Sequence, residues 1–291
     1  MGVPSTGQVR DLLRRHLPDL AVHEVRTLGD GLDNTAFAVD DLVVRFAKEP
    51  DQELRASAVR REARVLAVAG RVSPVPVPVP VLVLPERGCL AYRRLPGVPL
   101  IEARGAAEPV AVAAVLAELL RALHGVPVAE VADVLEADDE PLEVWRDDAA
   151  EQYAAARALV PERVRAAVEA FLAAPPPPPG GVAVLSHDDL GIEHVLVDPG
   201  SGAVTGVIDW TDAGLVDPAT DCGRILRDLG AAALDAVLAR LGADLRDRAL
   251  FYARCGVLED LAHGLESGRR AYVDKSLDAL DALFAPARQS P

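Results

Sequence analysis

The sequence predicts an α+β chain in two lobes, a small antiparallel sheet with one helix followed by a mostly helical region. Three observations predict it. Residues 22–47 alternate apolar and polar side chains around short turns, the period of half-buried strands. From residue 108 onward most apolar residues instead recur at helical spacing. Two acidic segments interrupt the helical part, His187-Asp188-Asp189-Leu190 in a loop and Ile208-Asp209-Trp210 at a strand end. With 291 residues, half of them apolar, the chain suits one large domain or two lobes with a cleft between them.

Ser5 caps a first helix whose stripe is Val9, Leu12, Leu13 and Leu17, ending near Pro18. Strands follow at 22–28, 35–39 and 42–47, with Asp40-Asp41 as the tight turn. Between the first two lies Gly29-Asp30-Gly31-Leu32-Asp33-Asn34. Glycine lets backbone amides approach a triphosphate closely, although Gly and Asp fill ordinary hairpins equally well. In the third strand, alternation puts Val43, Arg45 and Ala47 on one face and Val44, Phe46 and Lys48 on the other. Asp51 opens a helix to about 69, with Leu54, Ala58, Val65 and Leu66 as expected core contacts and Glu62 on the same side.

Residues 73–80 alternate Val with Pro, so they are extended without being a central strand. A hairpin at 81–84 and 89–93 closes the small lobe, and residues 93–100 link it to the next region. Helices are expected at 108–123, ending on His124-Gly125 with His124 as C-cap, then at 141–159 and 161–172. Pro175 to Pro179 connects to a strand at 182–185. Residues 195–197 and 204–208 form a hairpin around Asp198-Pro199-Gly200-Ser201-Gly202. Helices then span 217–229, 231–241, 245–265 and 269–283.

The two acidic segments carry the chemistry. Protein kinases present H-R-D-L-x-x-x-N and then D-F-G, whose Asp holds Mg²⁺. Here His187-Asp188-Asp189-Leu190 fits the first half, His194 stands where the Asn would be, and Asp209-Trp210 stands for Asp-Phe. Phosphoryl transfer needs a carboxylate to accept the hydroxyl proton and aim the oxygen, and hard ligands for the metal. Asp189 suits the first task and Asp209 the second. His194 is a softer ligand than an amide oxygen, more at home with zinc or copper.

At these residues the chain resembles the aminoglycoside phosphotransferase family of small-molecule kinases. The resemblance is specific over 184–221, including Val207-Ile208-Asp209-Trp210 and Asp217-Pro218-Ala219-Thr220-Asp221, and only suggestive in the small lobe. Most of that family has Asn at the position of His194. The branch of aminoglycoside 2''-phosphotransferases and macrolide 2'-phosphotransferases is similar to this chain in having His there.

The resemblance implies a bilobal protein-kinase-like fold, with residues 1–94 as the nucleotide-binding lobe and 95–291 as the catalytic lobe. It implies Asp189 as the catalytic residue, His194 and Asp209 as ligands of Mg²⁺, and ATP or GTP as phosphate donor. Gly29, Gly31 and Asn34 would cover the phosphates. Arg45, in the place of the kinase lysine, would bind phosphate and pair with Glu62. The backbone of Tyr92, Arg93 and Arg94 would meet the purine edge. Asp221 would brace the loop through His187. Glu259, Asp260 and Glu266 are the acids placed to meet a cationic acceptor, an aminoglycoside first and a macrolide or a metabolite second. A solvated helix face is an equally good reading of those three. A non-catalytic nucleotide-binding pseudokinase and a zinc hydrolase using His187, Asp189, His194 and Asp209 are the competing classes.

The net charge of −15 disfavours nucleic acid and anionic membranes and is compatible with a polycationic small substrate. The apolar runs are short or broken, no signal core precedes Arg10, and no G-K-[ST] exists for a Walker loop. Cys89, Cys222 and Cys255 lack both zinc spacing and a disulfide framework, as expected of buried thiols in a reducing cytoplasm. The chain is expected to be a cytoplasmic monomer.

Overall fold

The computed structural model describes residues 4–31, 33–241 and 245–284. Helix α1 (Thr6–His16) begins with a capping box, Ser5 and Gln8 each bonding the other's backbone. Strands β1 (Val25–Asp30), β2 (Asn34–Val39) and β3 (Leu42–Ala47) form a meander; after α2 (Gln52–Val72), β4 (Pro80–Leu84) and β5 (Cys89–Arg93) complete an antiparallel sheet ordered β1-β2-β3-β5-β4. The period-two pattern divides this sheet between two cores. Val44 and Phe46 join Val9 and Leu13 of α1 on the outer face, whereas Val43 and Leu90 pack with Val65, Leu66 and Ala69 of α2.

Leu54 is exposed rather than a core contact, and Ala58 is only half-buried. Ala56 and Val59 take the buried positions in that part of α2. Leu54, Ala56, Ala58 and Val59 stand so close in sequence that more than one helical phase fits them.

The larger core runs on into α3 (Pro109–His124), where the Glu108 side chain caps the Ala111 amide, and into α4 (Leu142–Ala156) and α5 (Glu162–Ala173). It continues through α6 (Ala219–Leu229), α7 (Ala231–Leu241), α8 (Arg246–Ser267) and α9 (Arg270–Phe284). Short strands stand between these helices: β6 (Val98–Pro99), β7 (Val184–Ser186), β8 (Val195–Val197), β9 (Val204–Val207) and β10 (Gly214–Val216). Ser186 lies opposite Gly214 and Val195 opposite Val207. Both ladders therefore end where residues 187–194 and 208–213 begin, and strand register alone brings the two acidic segments together. Cys89, Cys222 and Cys255 are buried and unpaired. Among the described residues, no helix is long and apolar enough to cross a membrane.

His124 is the last residue of α3, with Gly125 as the cap, and its Nε2 is buried without a hydrogen-bond partner. Burial pushes its pKa down to about 4 from 6.5. The unfolded chain then binds the extra proton between those values, so stability falls as pH drops through that window. In urea titrations at pH 7 and 4.5, His124→Leu should lose less stability than the parent chain, by about 2 kcal/mol. Equal losses would show that His124 is not the buried neutral group.

Candidate active site

The loop after β7 turns sharply at Asp188, whose φ is 61°, and the chain after β9 turns at Asp209, with φ 62°. Such left-handed backbone is uncommon outside glycine, and Asp is among the few residues that tolerate it. His187 joins the two turns. It is fully buried; its Nε2–H donates to the Ile208 carbonyl at 3.0 Å, and its Nδ1 accepts the Asp189 amide at 3.3 Å. Burial, followed by the nearby His194, holds it neutral with a pKa of about 4. Both nitrogens are spent, so His187 is not a metal ligand. Asp221, also fully buried, accepts the His187 amide at 2.9 Å.

Asp189 and Asp209 meet across His194. His194 Nδ1 lies 2.8 Å from the Asp189 carbonyl and 3.3 Å from its Oδ2, while Nε2 lies 3.9 Å from Asp209 Oδ2. Arg224 approaches the other Asp189 oxygen at 3.3 Å. Although burial would raise it, His194 and Arg224 hold the Asp189 carboxyl down to about 2. Burial likewise opposes a charge on His194, but Asp189 and Glu193 raise its pKa above the ordinary value.

Arg45 faces this pair from β3. Its Nη1 donates to Glu62 of α2 at 2.8 Å, and its Nη2 donates to Asp209 Oδ1 at 2.9 Å and Thr211 Oγ1 at 2.6 Å. Despite burial, Glu62 and Asp209 hold the guanidinium more firmly protonated than usual. Arg61 of α2 also donates to the Thr211 carbonyl. Asp209 Oδ2 remains facing His194. If Nδ1–H donates to the Asp189 carbonyl, the Nε2 lone pair is directed at the same space. One carboxylate oxygen and one imidazole nitrogen fit a divalent cation that takes its remaining ligands from water and phosphates, as Mg²⁺ does. Consistent with that partial set, no group of three or more His, Cys, Asp or Glu residues converges as a metal cage among the described residues.

A cleft of about 570 Å³ opens in front of Arg45, bounded by Asn34, Lys48, Glu62, Thr211 and Asp212. Gly29 and Gly31 lie at the end of β1 and in the turn after it; Leu32 lies outside the described residues. A Cβ on Gly29 would meet no protein atom within 4 Å, so the turn is open on that side. Lys48 pins it, pairing with Asp30 at 2.7 Å and donating to the Gly31 carbonyl. A second cavity of about 580 Å³, beside Arg15 and Phe46, lies toward α1 and shares Lys48 with the first.

Tyr92 sits within β5, between Val43 of β3 and Pro80 of β4, and the Arg94 amide donates to Asp41 O. The Arg94 amide is thus spent on the Asp41 carbonyl and does not reach a purine edge. The exposed Arg93 side chain pairs with Asp41. Asp260 does not face an acceptor: it is buried, 2.9 Å from both Arg227 and Lys275. Its neighbour Glu259 is exposed on α8, where its charge is felt by Arg224 beside Asp189, and Glu266 is exposed at the far end of the helix. Thr211, Arg224, Arg227, Asp228 and Lys275 escaped the sequence reading, because no local motif distinguishes them from ordinary helix and turn residues.

A kinase-like fold whose loop carboxylate, second carboxylate and imidazole converge beside a sheet-borne arginine defines a small-molecule phosphotransferase. Residues 24–253 match the Phosphotransferase enzyme family, and the chain belongs to it. It is 30% identical over 292 residues to a viomycin phosphotransferase from Streptomyces vinaceus, covering 89% of this chain and 98% of that protein. Among solved structures, the GDP complex of aminoglycoside 2'-phosphotransferase-IIIa superposes with a TM-score of 0.70 at 21% identity, covering 97% and 99% of the two chains. Macrolide 2'-phosphotransferase MphH from Brachybacterium faecium gives 0.63 at 26% identity over 97% and 99%.

Asp221→Ala strands a buried amide of the loop and should cost about 3 kcal/mol in chemical denaturation. Asp221→Asn keeps an acceptor oxygen and should cost less. Equal, small losses for both would remove Asp221 as the brace.

Proposed function

We propose that the chain transfers the γ-phosphate of ATP or GTP to a hydroxyl of an antibiotic, an aminoglycoside or a viomycin-like compound, within a cytoplasmic monomer. The observation that carries this reading is the convergence of Asp189, His194, Asp209 and Arg45, with His194 3.3 Å from one carboxylate and 3.9 Å from the other. Residues 1–94 and 95–291 act as the two lobes, and the triphosphate lies beside Arg45, between the turn of Gly29, Gly31 and Asn34 and the pair Asp209 and His194. Asp209 Oδ2 and His194 Nε2 would hold Mg²⁺, which would supply positive charge beside the phosphates during transfer. Arg45 contacts phosphate with the N–H groups that its bonds to Glu62, Asp209 and Thr211 leave free, and Glu62 keeps it aimed.

Asp189 accepts the hydrogen of the acceptor hydroxyl and points its oxygen at the γ-phosphorus. A carboxyl held near 2 is a weak base, so its work is orientation, with the proton passing to it only as the P–O bond forms. Glu259, exposed on α8, would meet a cationic acceptor. Identity to the viomycin phosphotransferase supports an antibiotic acceptor, and the net charge of −15 is compatible with a cationic one. The 26% identity to a macrolide phosphotransferase keeps macrolides as the second class.

The test is Mg²⁺-dependent transfer of labelled phosphate from ATP and, separately, GTP to viomycin, pooled aminoglycosides and pooled macrolides. Product is expected from one of the first two, with Asp189→Asn lowering kcat about 10²–10⁴-fold. Product from macrolides alone would move the acceptor class. Failure to bind either nucleotide would overturn the phosphotransfer reading of this cleft.

A further inference from the structure

Behind the catalytic loop lie five charged side chains from four elements: Glu193 of the loop, Arg227 and Asp228 of α6, Asp260 of α8 and Lys275 of α9. All are buried, with side-chain exposures of 11% or less. Lys275 Nζ reaches Glu193 at 2.8 Å, Asp260 at 2.9 Å and Asp228 at 3.4 Å. Arg227 pairs with Asp228 at 2.8 Å and Asp260 at 2.9 Å. Asp228 also accepts the Ile192 amide at 3.1 Å, and the Ile192 carbonyl accepts the Ile101 amide at 3.1 Å. Gly191 is fitted to the same cluster. A Cβ there would stand 2.6 Å from the Glu193 carboxylate, which folds back against the loop.

Such a cluster is a poor device for stability alone. Desolvating five charges offsets most of their attraction, and well-packed apolar residues often do as well or better. What it supplies is fixed geometry. Residues 191–193 are held from both backbone and side chain, immediately before the imidazole that stands between Asp189 and Asp209. Burial would raise the Asp228 carboxyl, yet Arg227 and Lys275 hold it well below the usual carboxylate range, so it accepts the Ile192 amide as an anion.

We infer that Lys275 of α9, acting through Glu193 and Asp228, is a positioning residue that fixes the loop carrying Asp189 and His194, so that the C-terminal helix sets the geometry of transfer. This rests on the phosphotransfer reading of that loop.

Lys275→Met alone leaves carboxylates unpaired and endangers folding, so the informative variant is K275M/E193Q, which removes one charge of each sign. Hydrogen exchange without ligand should show residues 187–197 exchanging about tenfold faster, with other segments and Tm close to the parent chain. With the acceptor and nucleotide that give product in the parent chain, kcat should fall about tenfold or more while the nucleotide KM stays put. Gly191→Ala, which displaces the Glu193 carboxylate without deleting a charge, should reproduce both effects in milder form. Unchanged exchange in 187–197, or a kcat equal to the parent's in both variants, would overturn the tether. Asp189→Asn run alongside separates the readings: activity retained there would sink the assignment of the loop, whereas the exchange result would still decide the tether.

Discussion

A buried guanidinium must have its charge met, and Arg45 is met from two directions. Its position in the middle of a five-stranded sheet leaves it little freedom. Glu62 fixes one nitrogen and Asp209 with Thr211 the other, so the small lobe's sheet, its helix α2 and the turn after β9 are held in one register. Removing Glu62, the buried partner, would leave the guanidinium short of a carboxylate where both side chains are only 8% exposed, at a cost of about 3–5 kcal/mol. The cleft depends on this arrangement, because it opens between the groups that Arg45 joins.

The electrostatics of the second half follow from the first. Arg45 takes one oxygen of Asp209 and leaves the other toward His194. His194 in turn divides itself between Asp189 and Asp209, and Arg224 balances Asp189 from behind. The acidic site is therefore an alternation of charges in which each carboxylate has a cationic neighbour. It is also where the backbone departs from ordinary conformations, at Asp188 and Asp209, and His187 and Asp221 hold those departures in place.

Much of this was legible in the sequence. Strand alternation put Arg45 on the same face as Val43, toward Glu62 of α2, and the hairpin pattern put Asp189 in the loop before it and Asp209 at the end of its second strand. Legibility failed where the information is not local. In α2, closely spaced Leu, Ala and Val residues fit several helical phases, and Leu54 was given the wrong one. In α8, more than half the residues are buried, so no stripe marks which of the adjacent Glu259 and Asp260 faces outward. The five-charge cluster draws on residues as far apart as Glu193 and Lys275, whose meeting is decided by helix packing.

The most direct measurement is a crystal structure of the chain with a non-hydrolysable ATP or GTP analogue and Mn²⁺ in place of Mg²⁺, the metal located by anomalous scattering. The ion is expected on Asp209 Oδ2 and His194 Nε2, with Arg45 against phosphate oxygens. An ion bound elsewhere, or a nucleotide whose phosphates lie away from Arg45, would contradict it.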